Sequence, residues 1–147
     1  MTWSDGYFIG VLINIEGYCS EKETDRWIPY STTTEGNQYF LDKRSLIFVD
    51  QRVFRVWIKE VPSPDRKHRY IQNRKDNGLS IVGWDKWKDT RLFQEMDCRK
   101  RTLKTISVVF YNDKGISLYS DTNDNRQSQP IVPGSLTEEL LDTICGK

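Results

Sequence analysis

Three kinds of side chain in this sequence bear on chemistry: three thiols, a single imidazole and a scatter of carboxylates. The thiols are Cys19, Cys98 and Cys145, so at least one is unpaired within a monomer. In a reducing compartment all three serve as small buried hydrophobes, whereas an oxidising one allows a pair to close a loop. His68 stands in a run of Arg and Lys that keeps it solvated. With one imidazole, no Ser or Cys has a base to draw on, and no catalytic residue is nominated. Two carboxylates brought together in space would still permit acid–base hydrolysis. No Gly-rich phosphate loop and no His/Cys ligand spacing occurs. Asp121-Thr122-Asn123-Asp124-Asn125 crowds oxygen ligands but lacks the Gly and distant Glu of a calcium loop, so it is taken as a polar loop. No metal and no cofactor is therefore expected.

Two basic clusters carry the binding chemistry. Arg66, Lys67, Arg69, Arg74 and Lys75 fall in one segment; Arg99, Lys100, Arg101 and Lys104 fall in another. Each is first a solvated face. The functional reading is an adhesive patch for an acidic glycan or acidic protein, acting on encounter rate and salt dependence more than on affinity. Trp57 and the pair Trp84/Trp87 offer apolar anchors of the type enriched at hot spots. Rings of this size also cover small sheets, and Trp57 is read first in that role. Formal net charge is +1, which gives no bulk attraction to nucleic acid or an anionic membrane.

These residues need a scaffold. A chain of 147 residues suits one domain. The hydrophobic fraction of 37% is adequate because 12% of residues are aromatic and bury much area each. No stretch approaches the ~20 apolar residues of a membrane-spanning helix. Tyr7 to Ile15 has the length of a signal-peptide core, but Asp5 rather than Lys or Arg precedes it. Cys19 then sits where a lipid anchor would, although Glu16-Gly17-Tyr18 is wrong for that processing site. The alternative is an N-terminal strand or loose tail with a spare thiol. Residues 1–26 are accordingly set apart from a domain over 27–147.

Within that domain the expected class is α+β. Ile28 to Glu35 is strand-like, with a turn at Gly36-Asn37 before Gln38 to Asp42. Asp42 to Ser45 is a turn, and Leu46 to Val49 and Val53 to Val61 are strands around Asp50-Gln51-Arg52. In the latter, Phe54, Val56 and Ile58 share the core face and Arg55, Trp57 and Lys59 the other. Pro62 ends the strand; Ser63 caps a polar surface helix over about 64–77, with Pro64 at its first position and Gly78 as its stop. Leu79 to Thr90 is expected to be irregular. Leu92 to Cys98 alternates, and Thr102 to Tyr111 forms a hairpin with Ile116 to Ser120 through Asn112-Asp113-Lys114-Gly115. A short helix over about 136–145 follows, with Ser135 and Glu138 as a capping box and Leu136, Leu140, Leu141 and Ile144 on one stripe. Gly146 supplies its left-handed cap.

Several segments in order, YFLDKRSL (Tyr39 to Leu46), VFRVWIK (Val53 to Lys59), EMDCRKRTLKTISVVFYNDKG (Glu95 to Gly115) and IVPGSLTEELLDTIC (Ile131 to Cys145), resemble the surface-adhesin protein E-like domain of bacterial envelope proteins and lipoproteins. The resemblance runs from about Trp27 to Cys145, and its specificity lies in the succession of VW-K, DC-KR, the hairpin and PGS…C. It implies an antiparallel sheet of about six strands with helices packed on it, a periplasmic or surface location, a capacity to dimerise, and a disulfide between Cys98 and Cys145. The pairing has a physical rationale too, since it would tie an amphipathic C-terminal helix to the strand end at Cys98. The sequence departs from the family pattern in showing no evident signal peptide and in having Arg126-Gln127-Ser128 where a Trp often stands. The expected function is a non-catalytic envelope module that binds a protein or acidic surface polymer through its sheet face or basic helix. The alternatives are a periplasmic scaffold domain without a soluble ligand, and a hydrolase using a carboxylate pair.

Overall fold

A computed structural model of the chain describes residues 23–146. The thiol of Cys19 and the apolar run from Tyr7 to Ile15 lie outside the described residues. In chain order the elements are α1 (Glu23–Arg26), β1 (Trp27–Thr32), β2 (Gln38–Asp42), β3 (Ile47–Asp50), β4 (Val53–Val61), α2 (Pro64–Asp76), a single 3-10 turn (Trp84–Lys86), β5 (Trp87–Asp97), β6 (Thr102–Asn112), β7 (Ser117–Thr122), β8 (Gln129–Pro130) and α3 (Leu136–Cys145). The strands form one antiparallel sheet in the order β1-β2-β4-β5-β6-β7.

The two short strands share edges with longer neighbours. Along β4, β2 pairs with residues 58–61 and β3 with residues 53–55. Between them the Trp57 N–H would lack a ladder partner, and it donates instead to Ser45 Oγ at 2.9 Å. Along β6, β7 takes residues 107–111 and β8 takes Thr102 and Leu103. In that gap Arg126 Nη1 donates to the Thr105 carbonyl at 2.9 Å. The Ser45 turn and the polar loop after β7 thus complete the sheet with side chains.

Alternation in β4 is strict: Phe54, Val56, Ile58 and Glu60 are buried, and their neighbours are partly exposed. Strand β5 begins at Trp87, five residues before the alternation in the sequence. A bulge between Trp87 and Asp89 sets two residues against one on β6, so Trp87, Asp89 and Thr90 are all buried. Residues 87–90, expected to be irregular, therefore belong to the strand, and the bulge hides them from a period-two reading.

Both long helices pack on the Phe54 face. Leu140 and Leu141 of α3, 1% and 0% exposed, meet Phe54, Val56, Ile58 and Met96. Ser135 caps α3 by accepting from the Glu138 N–H at 3.2 Å, while the Glu138 carboxylate accepts from the Gly134 N–H at 2.9 Å. The box is therefore shifted by one residue, because Ser135 N–H is taken by the Val132 carbonyl. At the far end Gly146 adopts φ 76° and returns its N–H to Asp142, a conformation that favours glycine. Helix α2 has no fully buried residue; its Tyr70 and Ile71 pack on Trp84, Trp87 and Phe110.

Covalent closure comes from Cys98–Cys145, whose Cα atoms lie 5.9 Å apart. Arg101, in the same β5–β6 turn, adds ion pairs to Glu138 and Asp142 of α3, each at 3.0 Å.

Two stability effects are expected. Chain-entropy reasoning for a crosslink spanning 47 residues gives a loss of about 4 kcal/mol on Cys145→Ala or on reduction; urea unfolding with and without reductant measures it, and coincident midpoints would contradict it. Leu141→Ala should cost about 2–5 kcal/mol at unchanged denaturant slope, since it empties a fully enclosed site.

Candidate functional site

Neither α2 nor α3 packs on the opposite face of the sheet, at one edge of which Arg26 of α1 chelates Asp42 and lies over the Trp27 ring. Side chains there line up in three cross-strand rows set by register. In the first, Arg55, Glu95 and Lys104 stand on adjacent strands. Arg55 Nε meets Glu95 Oε1 at 2.8 Å, and Lys104 Nζ lies 3.7 Å from Glu95 Oε2. Asp124, from the loop after β7, closes the row at 3.3 Å from Lys104 and 3.9 Å from Arg55. The oxygen-rich segment 121–125 thus has its carboxylates on cations, since Asp121 pairs with Arg126.

The middle row is aromatic. Trp57 and Phe93 are opposite one another in register and stack with centroids 5.0 Å apart at 30°. Both rings are partly exposed. The third row places Phe40, Lys59 and Arg91 side by side. Two cations directly opposite each other repel, and here rings absorb the charge. Lys59 Nζ lies 4.6 Å from the Trp27 ring centre and 5.0 Å from that of Phe40; Arg91 lies 5.2 Å from Trp27 and 5.0 Å from Tyr111. Arg91 also donates to buried Asp89 at 3.2 Å.

Of these residues the sequence pointed to Trp57 and Lys104 as candidates and showed the shared face of Arg55, Trp57 and Lys59. Phe93, Glu95 and Arg91 were missed. Their signal was the second period-two run in β5, but only the β4–β5 register says which of its residues oppose which.

The basic helix is arranged differently from a uniform patch. Arg66 chelates buried Glu60 at 2.9 and 3.2 Å, Arg69 pairs with Glu35, and Arg74 lies 4.4 Å over the Trp84 ring while donating to the Ser80 carbonyl. Lys75 is exposed and Lys67 half-buried, and neither has an ion pair among the described residues. In the second cluster Arg101 and Lys104 are paired, and Arg99 and Lys100 are exposed on a turn whose N–H groups the Asp97 carboxylate accepts. His68 is exposed on α2. Trp84 and Trp87 are core residues, 2% and 1% exposed.

Carboxylates do converge in one shallow hollow, lined by Ser31, Glu138, Glu139 and Asp142. Glu138 and Asp142 share Arg101 there. A second polar network joins the sheet to α2: Tyr39 Oη donates to Glu60 Oε2 at 2.6 Å, beside the Arg66 guanidinium. Burial first, and then the hydrogen bond to Glu60, push the Tyr39 phenol well above its ordinary value. Tyr30, packed against Tyr39 at 6.3 Å, is raised chiefly by burial and further by the negative charge of Glu60 and Glu139. Glu35 is held below the usual carboxylate range by the hydrogen bond from Arg69.

Comparison with known proteins gives a consistent picture. A family model described as surface-adhesin protein E matches residues 27–146. Haemophilus influenzae protein E has a similar structure, with a TM-score of 0.53 at 13% identity over 83% of this chain and 85% of that one. A selenomethionine form of it gives 0.51 at 10% identity over 81% and 86%. Protein E from non-typeable Haemophilus influenzae gives 0.50 at 13% identity over 86% and 79%. At these identities the structural likeness establishes the fold. No curated protein matches the sequence.

The tyrosine pair yields a test of the framework. Both phenols stay protonated in the folded chain above the pH at which an unfolded tyrosine ionises, 10.0. The stability they confer is intact below that pH and is lost as pH rises through the higher folded values. Unfolding free energy should therefore fall above about pH 10, and Tyr39→Phe should flatten that decline; an identical alkaline slope in the variant would contradict the assignment.

Proposed function

Because this chain belongs to the surface-adhesin protein E family, we propose that it is a non-catalytic binding domain of the bacterial cell surface or periplasm that engages another protein through the face of its sheet opposite α2 and α3. The observation that carries this reading is the Trp57–Phe93 stack, two partly exposed rings at the centre of that face. Large rings fixed in place are the groups that anchor protein interfaces, because little entropy is lost when they are covered. The ionic row of Arg55, Glu95 and Lys104 on one side and the cation–ring row on the other form a polar surround that orients a partner. Their charges are already matched across strands, so specificity comes from geometry more than from net attraction.

The non-catalytic part rests on where the acids are. Among the described residues each buried carboxylate has a guanidinium: Asp42 with Arg26, Glu60 with Arg66, Asp89 with Arg91. A carboxylate held as a salt-bridge anion is a poor general acid. For location, the family is one of surface adhesins, and no helix among the described residues is long and apolar enough to cross a membrane.

Beads coated with the chain should adhere to a monolayer of epithelial cells above the level of albumin-coated beads; equal adherence would sink the adhesin reading. Trp57→Ala should weaken adherence by about 2 kcal/mol or more, roughly thirtyfold in affinity. Arg55→Ala, which leaves the rings in place, should cost less. Undiminished binding by a folded Trp57→Ala chain would remove the face from the proposal.

A further inference from the structure

The arginines of α2 are committed to internal partners, but Lys67, near its start, is not. Lys67 of α2, Lys86 of the 3-10 turn and Lys88 of β5 surround one hollow of about 410 Å³. Trp87, Asp85 and Asp113 also line it. None of these three lysines or two aspartates has a side-chain ion pair among the described residues. The hollow lies on the helix side of the sheet, away from the Trp57 face. Helix α2, the turn that leads into β5, and the β6–β7 hairpin therefore bring cations and carboxylates to one hollow without an ion pair closing between them.

We propose that this hollow is a subsite for an acidic saccharide bearing sulfate groups. Mobile ammonium groups suit a sulfate, a diffuse anion that needs charge more than a planar fork. The two carboxylates are unfavourable for a bare anion but accept hydrogen bonds from sugar hydroxyls, which a bare anion lacks. The mixture of signs is what separates a saccharide site from a general anion patch. The hollow is shallow and open to solvent, so a saccharide would lie across it with one side exposed. This site is separate from the protein-binding face proposed above, and either can fail without the other.

The test uses the whole chain and a sulfated heparin disaccharide, with its desulfated counterpart and inorganic sulfate as comparisons, followed by titration calorimetry at low salt. The sulfated disaccharide should bind at least about tenfold more tightly than either comparison. Lys67→Gln/Lys86→Gln/Lys88→Gln should lose about tenfold or more, whereas Arg99→Gln/Lys100→Gln, which also removes exposed positive charge, should change affinity little. Asp113→Asn should weaken binding. Equal loss in the Arg99/Lys100 control would mean bulk electrostatics and overturn the site, as would unchanged affinity in the triple variant. Inorganic sulfate binding as tightly as the disaccharide, or tighter binding by Asp113→Asn, would overturn the saccharide assignment. Trp57→Ala should leave disaccharide affinity unchanged.

Discussion

The seating of α3 on the sheet is the constraint on which the remaining structure depends. Leu140 and Leu141 complete the cluster formed by Phe54, Val56, Ile58 and Met96, so without the helix one side of the central strands would face water. A ten-residue helix has little stability of its own. Its position is held by a cap at each end, by ion pairs from Arg101, and by the Cys98–Cys145 bond. Three of these constraints converge on a single turn between β5 and β6. That turn is itself unusual, with Arg101 at φ 56°, in the left-handed region. The ion pairs and the Ile131 N–H bond to its carbonyl keep the backbone there.

With one face of the sheet assigned to helices, the other can be specialised. On it, Arg55, Glu95 and Lys104 neutralise one another across strands, Arg91 pairs with Asp89 along β5, and aromatic rings face the cations of Lys59 and Arg91. Arginine and lysine divide the work throughout the molecule. Guanidinium groups, with several directed donors, tie buried carboxylates to neighbouring elements, as Arg26, Arg66 and Arg91 do. Lysines 67, 86 and 88 have no such internal task. The distinction changes the meaning of the basic helix: most of its positive charge is structural, and the cations available to a partner come from several elements.

Much of the fold was legible in the chain. Strict alternation in Val53–Val61, the Ser63-Pro64 start of α2 and the Ser135/Glu138 cap all express local rules, and local rules survive into the structure. The Cys98–Cys145 pairing, implied by family resemblance, is present as well. Strand β5 was legible only from its middle, because a bulge at Trp87–Asp89 depends on pairing with β6 and leaves no periodic trace. The surface was less legible than the core. Arg66 beside Lys67 looks like one basic patch in sequence, yet one cation is locked to Glu60 and the other faces a hollow.

By itself, then, the sequence determined the class of fold, the helices and their caps, the core face of β4 and, through family resemblance, the bridge. These follow from side-chain period, backbone preference and residue order, which act over a few positions. Tertiary structure alone decided that Trp57 meets Phe93, that Lys59 and Arg91 share the Trp27 ring, and that Lys67 joins Lys86 and Lys88. Those are meetings between segments far apart in the chain, fixed by register and packing; a slip of one residue in strand register would carry Trp57, Phe93, Lys59 and Arg91 away from these partners.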